Sequence, residues 1–103
     1  MKNMNQLMKQ AKKMQEDLLK AQEALGARTV TGTSGGGAVT VVMNGHKKVE
    51  SVTILPDVVN PEEIEMLQDL VMVAIQDAFQ KAEEMSEAEM GKYTRGMNMP
   101  GLF

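Results

Sequence analysis

Apolar side chains recur at alternating steps of three and four residues along the first quarter of the chain. They are Met4, Leu7, Ala11, Met14, Leu18, Ala21 and Leu25. An alternation without a break is the spacing of a helix that packs along one narrow seam. We therefore expect a helix over this stretch with its seam residues packed, and we expect Gly26 to end it as a left-handed cap residue.

The basic residues of this helix fall on the side opposite the seam. Lys9, Lys12, Lys13 and Lys20 occupy heptad positions f, b, c and c on the same register. Charge is also uneven along the chain: residues 1–28 hold six basic and three acidic residues, whereas residues 56–103 hold three basic and ten acidic residues. Although the net charge is −3, one end of the chain is expected to attract polyanions and the other to repel them.

The apolar period changes from helical to two between residues 29 and 55. Val39, Val41 and Met43 alternate along a predicted strand that ends at Asn44-Gly45. This pair suits a type I′ hairpin turn, in which both central residues take positive φ. Residues 49–55 are expected to form the returning strand, and residues 28–33 a further strand before the glycine run.

The glycine-rich stretch TGTSGGGAVTVVMNG, residues 31–45, raises the alternative of a phosphate-binding loop. Gly32 and Gly37 have the spacing of a Walker-type loop, but Ala38 stands where that loop needs lysine. A dinucleotide fingerprint would need glycine where Thr40 stands, and both motifs need a helix next rather than a strand. The glycines are therefore interpreted as a flexible connection between two strands.

A second helix is predicted from a capping signal at Asn60, with Pro61 at the first helical position and Glu63 near the positive end of the helix dipole. Its middle reads LVMVAI, which is apolar on every side and so must be buried on several sides. We expect these residues to pack on the sheet of their own chain and on a second chain. They are Leu70, Val71, Met72, Val73, Ala74 and Ile75.

The second helix is expected to end near Gly91, which gives a single domain over residues 1–91 and a flexible tail over residues 92–103. The absence of cysteine excludes disulfides and thiolate chemistry. His46 is interpreted as an exposed turn residue. No catalytic constellation is apparent, so we predict neither an enzyme nor a cofactor, metal or small-molecule substrate.

No stretch approaches the roughly 18 apolar residues of a membrane span, and the N-terminus lacks the apolar region of a signal peptide. We therefore expect a cytoplasmic protein without a membrane partner.

The order of motifs resembles the bacterial YbaB/EbfC family of nucleoid-associated proteins. The matching segments are LMKQAKKMQEDL, VTGTSGGGAVTVVMNG, VESVTILP and the closing GMNMPGLF, which together cover essentially the whole chain. The resemblance implies an α+β fold with two long helices around a three-stranded antiparallel sheet (α-β-β-β-α), in an intertwined homodimer with projecting helices. It also implies binding to double-stranded DNA through those helices, a place in the nucleoid, and an effect on nucleoid organisation and gene expression.

The residues themselves supply a mechanism for such binding. Cationic side chains would neutralise phosphates, and nearby amides would reach base edges. The cationic candidates are Lys9, Lys12, Lys13, Lys20 and Arg28, and the amide candidates are Asn5, Gln6 and Gln10. Because the net charge is negative and Glu16 and Glu23 interleave with the lysines, we expect modest affinity and a strong dependence on salt. We also expect low sequence specificity.

The alternative function is a protein-interaction dimer. Flexible methionine side chains repack against varied surfaces, and Met4, Met8 and Met14 would form a groove for a partner helix.

Overall fold

The computed structural model describes residues 2–94, and the side chains of residues 3–93. Its elements are helix α1 (Lys2–Leu25), strands β1 (Thr29–Ser34), β2 (Val39–Asn44) and β3 (Val49–Ile54), and helix α2 (Ile64–Thr94). Two short 3-10 turns, Pro56–Val58 and Pro61–Glu63, connect β3 to α2. The predicted α-β-β-β-α order is confirmed. The last nine residues of the predicted tail, 95–103, lie outside the described residues.

The sheet is an antiparallel meander in the order β1-β2-β3. Val39, Val41 and Met43 of the central strand are buried on the face that α2 covers. Residues Thr29, Thr31 and Thr33 of β1 alternate onto the opposite, exposed face. The period-two pattern of the sequence therefore marks a sheet with one packed face and one polar face.

α2 crosses the sheet over β1 and β2 with a stripe of small residues. Ala74, Ala78 and Ala82 are each fully buried, and a Cβ atom at Gly32 would overlap the backbone of Ala74 and Ala78. Glycine at this position of β1 thus allows the helix backbone to approach the strand directly.

The glycine run forms a hydrogen-bonded turn between β1 and β2. Gly35, Gly36 and Gly37 all have positive φ, at 61°, 68° and 96°. The amide of Gly37 donates to the carbonyl oxygen of Ser34 at 3.1 Å. Because side chains strongly disfavour this region of φ, three glycines in succession are explained by the turn itself, which is more defined than the flexible connection we expected.

Two local predictions are wrong. The β2–β3 turn is longer than a two-residue type I′ turn, since Gly45 is not in the positive-φ region and the positive φ belongs to Lys47, at 65°. Gly26 is likewise not left-handed: the last turn of α1 tightens instead, with the Gly26 amide donating to the carbonyl of Glu23 at 3.1 Å. Close packing, rather than a special backbone conformation, accounts for both glycines.

The start of α2 follows its predicted signal. The Asn60 side chain accepts a hydrogen bond from the Glu62 amide at 3.0 Å, so it caps the 3-10 turn that leads into the helix. At its other end α2 continues past Gly91 to Thr94.

Candidate nucleic-acid interface

The apolar seam of α1 is packed only along part of its length. In the base of α1 (residues 14–25), Ala21 and Leu25 are 6% and 3% exposed, and Met14 and Leu18 are half-buried. In the tip (residues 3–13), Met4 and Leu7 are 66% and 63% exposed. The first turns of the tip therefore project from the body without cover from the described part of their own chain.

The end of α2 lies beside α1 where the base gives way to the tip. Lys92 and Tyr93 share a groove with Gln10, Lys13 and Asp17 of α1. Since Arg28, beyond the base, is bonded to Glu89, the two helices run in opposite directions. This arrangement leaves the first turns of α1 beyond the last described turn of α2.

The four lysines at the predicted positions form a continuous exposed face of α1, which we call the lysine face. Its members are Lys9, Lys12, Lys13 and Lys20. Within residues 3–93 none of them forms an ion pair. Several cations elsewhere are paired, since Lys81 lies 3.1 Å from Asp77 and Lys92 lies 3.2 Å from Glu89. The lysine face thus keeps its charge available to an external anion.

The acidic residues of α1 all lie in its base, where Glu16 neighbours Lys12 and Lys13 one helical turn away. At 100° per residue, Glu16 and Glu23 project within about 40° of Lys9, yet both lie in the base, whereas residues 3–13 contain three lysines and no acid. Positive potential is therefore strongest at the tip of the helix.

Arg28 occupies a different environment from the lysine face. Its Nη1 atom donates to Glu89 Oε2 at 3.1 Å, and the same carboxylate oxygen accepts from Lys92 Nζ at 3.2 Å. Part of the charge of Arg28 is thus neutralised by α2. The structure brings Arg28 to the junction of the two helices rather than to the lysines.

The amide candidates lie in the tip of α1, close to the first lysines. Asn5, Gln6 and Gln10 are all exposed. Short polar side chains that hydrogen-bond through both donor and acceptor atoms are suited to base edges. The structure therefore places these amides and Lys9, Lys12 and Lys13 on one projecting segment.

The residues predicted to contact a second chain divide between two surfaces. Ala74 is fully buried under Gly32, and the carbonyl of Leu70 accepts a hydrogen bond from Ser34 Oγ. Ala74 has no surface left for a partner. Met72, Val73 and Ile75 instead remain 52%, 47% and 36% exposed. The all-round apolar helix is thus covered by its own sheet on one side only.

Strand β3 extends this exposed apolar surface, which sequence reasoning missed. Val49, Val52 and Ile54 are 47%, 45% and 36% exposed, because α2 lies over β1 and β2 and leaves β3 uncovered. Between β3 and α2 runs an apolar groove of about 470 Å³, which we call the β3–α2 groove. It is lined by Ile54, Leu67, Gln68, Val71, Met72, Ile75 and Gln76. The signal in the sequence was the apolar pair Val52 and Ile54 on one face of the strand.

The two edges of the sheet differ. At the β1 edge, the Thr33 amide donates to Asp77 Oδ2 at 3.0 Å and Lys81 Nζ donates to the Thr31 carbonyl at 3.0 Å. The hydrogen bond from Thr33, assisted by Lys81, lowers the pKa of Asp77. α2 thus occupies the edge of β1, a common protection against strand pairing, while β3 has no comparable cover from the described residues.

His46 is an exposed turn residue, as predicted, but its imidazole also contacts α1. Its Nε2 atom lies 2.6 Å from the carbonyl oxygen of Gln22 in α1. Nothing local in the sequence reveals this contact, which joins residues 24 positions apart.

The described residues contain neither a metal-binding cluster nor a helix that could span a membrane. Residues 2–94 contain no cluster of three metal-ligating side chains placed to hold an ion. Neither described helix combines the length and apolar character needed to cross a membrane.

Residues 1–97 match the model of the YbaB/EbfC DNA-binding family. A protein named nucleoid-associated protein from Alkaliphilus metalliredigens is 55% identical over 101 residues, covering 98% of this chain and 89% of the relative. A protein of the same name from Bacillus thuringiensis is 56% identical, with 98% and 93% covered. The crystal structure of the uncharacterized protein HP0035 from Helicobacter pylori is similar with a TM-score of 0.73 and 25% identity, covering 85% of this chain and 92% of that one.

Proposed function

The chain belongs to the YbaB/EbfC DNA-binding family, and from this premise we propose that it binds double-stranded DNA as a homodimer through the lysine face and the tip of α1. The observation that carries the proposal is the lysine face, whose four charges find no acidic partner within residues 3–93. Unpaired lysines on a projecting helix are the electrostatic footprint of phosphate binding.

The dimensions of α1 suit a duplex. Its 24 residues span about 36 Å at 1.5 Å per residue, which is close to one turn of B-form DNA. A helix of this length, uncovered over its tip, contacts several phosphates along one groove. Two such helices, one from each protomer, would contact the duplex from two directions.

The chemistry of the face supports low sequence specificity. Lysine contacts to phosphates position a protein on DNA without reading sequence. The predicted amides Asn5, Gln6 and Gln10 lie at the tip, where they could reach base edges. Binding should therefore be broad, with a slight preference supplied by these three side chains.

The homodimer is supported by the exposed apolar surface at the β3–α2 groove. Large contiguous apolar patches on small proteins mark interaction sites, and this one joins Val52 and Ile54 of β3 to Met72 and Ile75 of α2. A second copy that presents the same surface would cover it in a two-fold arrangement. Because the lysine face lies on a different element, the dimer would leave it open to DNA.

Broad DNA binding by the dimer accounts for a role in nucleoid organisation. Relatives from Alkaliphilus and Bacillus are named nucleoid-associated proteins. We extend that role to this chain, as a cytoplasmic protein bound to the chromosome that affects gene expression through many weak sites. Crosslinking of the protein to chromosomal DNA in cells should give wide, shallow occupancy, whereas a few sharp peaks would indicate a sequence-specific regulator.

The test of DNA binding is a titration of a fluorescent duplex at several salt concentrations. The double change Lys13→Ala and Lys20→Ala removes at most four phosphate contacts per dimer, so the slope of log affinity against log salt should fall by up to about 3.6. The free energy of unfolding should change by less than about 0.5 kcal/mol for each substitution, because both sites are exposed.

A matched control distinguishes the loss of a lysine from the lysine face from the loss of positive charge anywhere on the protein. Lys48 is exposed on the β2–β3 turn and has no ion pair within residues 3–93. Lys48→Ala should leave the slope close to wild type, while Lys13→Ala alone should lower it by up to about 1.8 per dimer. Equal slopes for the two single variants would contradict binding through α1.

The alternative, capture of a partner helix, is favoured by one observation. Met4 and Met8 are 66% and 67% exposed on the tip of α1, as a flexible binding groove requires. The two functions separate in the same titration: if wild-type protein shows no salt-dependent affinity for the duplex, DNA binding is rejected. Replacing Met4 and Met8 with Gln should leave phosphate binding intact but would abolish capture of a helix.

A further inference from the structure

We propose that His46 is a positioning residue that fixes the direction of α1 relative to the sheet. Its consequence for DNA binding rests on the proposed function, because the lysine face is carried on α1. The proposal that His46 holds the helix stands on the contacts at the base of α1 and is tested below without DNA.

The first contact is a hydrogen bond between the imidazole and the end of the helix. His46 Nε2 lies 2.6 Å from the carbonyl oxygen of Gln22. Because a carbonyl only accepts, Nε2 carries the proton. The Gly26 amide donates to Glu23 instead of continuing the helical pattern to Gln22. The imidazole therefore serves one of the carbonyls that a helix C-terminus leaves without a partner.

The backbone of the same turn makes a second contact. The Gly45 amide lies 3.0 Å from the carbonyl oxygens of both Leu25 and Arg28, and a Cβ atom at Gly45 would overlap the backbone of Leu25. The turn thus contacts the end of α1 at two neighbouring points. Two contact points restrain the direction of the helix axis, whereas a single contact point would leave the helix free to pivot about that point.

The turn is itself held in shape before it meets α1. The Asn44 side-chain oxygen accepts hydrogen bonds from the amides of His46 at 2.8 Å and Lys48 at 3.1 Å. The position of the imidazole is therefore set by the sheet, from which the turn emerges. A restraint anchored in the sheet is transmitted to α1.

Gly26 provides the space for the imidazole. A Cβ atom at this position would lie 2.7 Å from His46 Cε1 and 3.0 Å from His46 Nδ1. Since φ at Gly26 is not positive, backbone conformation does not require glycine. The ring of His46 does.

The length of α1 amplifies any change at its base. Over about 36 Å, a rotation of 10° moves the tip by roughly 6 Å, close to two base-pair steps of DNA. The first turns of the tip have no cover within the described chain, so their position depends on the contacts farther along α1. Loss of the His46 contact should broaden the range of positions of the lysine face.

The test measures this range directly by electron spin resonance. The chain has no cysteine, so Gln15→Cys on α1 and Thr53→Cys on the outer face of β3 give one spin-label pair. Dilution with unlabelled protein restricts the measured distance to one chain, whether it is monomeric or dimeric. His46→Ala should broaden the distance distribution, and His46→Gln, which restores an N–H donor, should keep it narrow.

Gly26→Ala provides an independent variant. It keeps His46 but displaces the ring, so it should broaden the distribution as His46→Ala does, and combining the two changes should add nothing further. If His46→Ala proves unstable by circular dichroism, Gly26→Ala carries the test. A narrow distribution in the folded variants would overturn the proposal.

The DNA readout distinguishes positioning from direct contact. His46→Ala should weaken duplex binding about 3- to 10-fold, because one hydrogen bond can bias the position of the lysine face by no more than its own free energy. The salt slope should stay unchanged, because no phosphate contact is removed. A reduced slope would show that His46 touches DNA and would reject the positioning role. Failure of His46→Gln to restore affinity would also contradict it, because a replacement N–H donor should restore the contact with Gln22. If wild type binds no DNA, the proposed function fails while the distance measurement still decides the role of His46.

Discussion

Arg28 Nη1 and Glu89 Oε2 lie 3.1 Å apart and join the segment between α1 and β1 to the last turns of α2. The Glu89 carboxylate also accepts from Lys92 at 3.2 Å. It therefore holds two cations that would otherwise be available to an external anion. Arg28, which the sequence predicted to contact DNA, is thus held by Glu89, an acid 61 positions away.

Glu89→Gln should strengthen duplex binding, because it releases Arg28 and Lys92. If both reach phosphates, the salt slope should rise by up to about 0.9 for each new contact. Glu84→Gln is the matched control, since Glu84 accepts only from Gln80 in the described structure and loses the same charge. Equal gains for the two variants, measured by the same titration, would mean that overall charge matters and that release of Arg28 does not.

The homodimer should depend on the apolar face of β3, which is on the same side of the sheet as α2, and not on the opposite face. Val52→Asp would place a charge on the exposed apolar face of β3 beside the β3–α2 groove, and burial of that charge by a second chain would be strongly unfavourable. Sedimentation of wild type at micromolar concentration should give about twice the chain mass of 11.3 kDa, and the variant should give the monomer.

Thr53→Asp is the control for the dimer, because Thr53 neighbours Val52 on β3 but projects from the opposite face of the sheet. It should remain dimeric. Ile75→Asp, on α2, should act as Val52→Asp does. If both Val52→Asp and Ile75→Asp remain dimeric, the dimer interface lies elsewhere on the protein.

Gly32→Ala should destabilise the protein, since the new methyl group would overlap the backbone of Ala74 and Ala78. Forcing α2 away from β1 should reduce the free energy of unfolding by about 1–3 kcal/mol, measured in urea. The same substitution at Gly91, where a Cβ meets nothing within 4 Å, should stabilise the helix by up to about 1 kcal/mol. A neutral Gly32→Ala variant would show that α2 is free to shift.

Asp77 should contribute to the loss of stability in acid. Its pKa is lowered in the folded protein by the hydrogen bond from the Thr33 amide and by Lys81. The unfolded chain therefore binds the proton more readily, so this contribution is present above the unfolded pKa and declines as pH falls through the folded pKa. Asp77→Asn should show a shallower fall in melting temperature between about pH 5 and pH 2. An identical fall would mean that the Thr33 contact does not persist in solution.

Much of the local structure could be predicted because its signals lie within a few residues of one another. The seam of α1, the alternation of Val39, Val41 and Met43, and the Asn60 cap each depend on neighbours one to four positions away. The charge of the lysine face is likewise local, since side chains opposite a seam face solvent wherever the helix packs.

The tertiary structure decided which surfaces remain open and which glycines meet a neighbour. LVMVAI is apolar on every side, so only the crossing of α2 over Gly32 determines that Ala74 is buried while Val73 and Ile75 are exposed. The Gln22–His46 and Arg28–Glu89 contacts join residues 24 and 61 positions apart. Sequence periodicity cannot predict these contacts, because they form only when the helices pack on the sheet and bring remote side chains together.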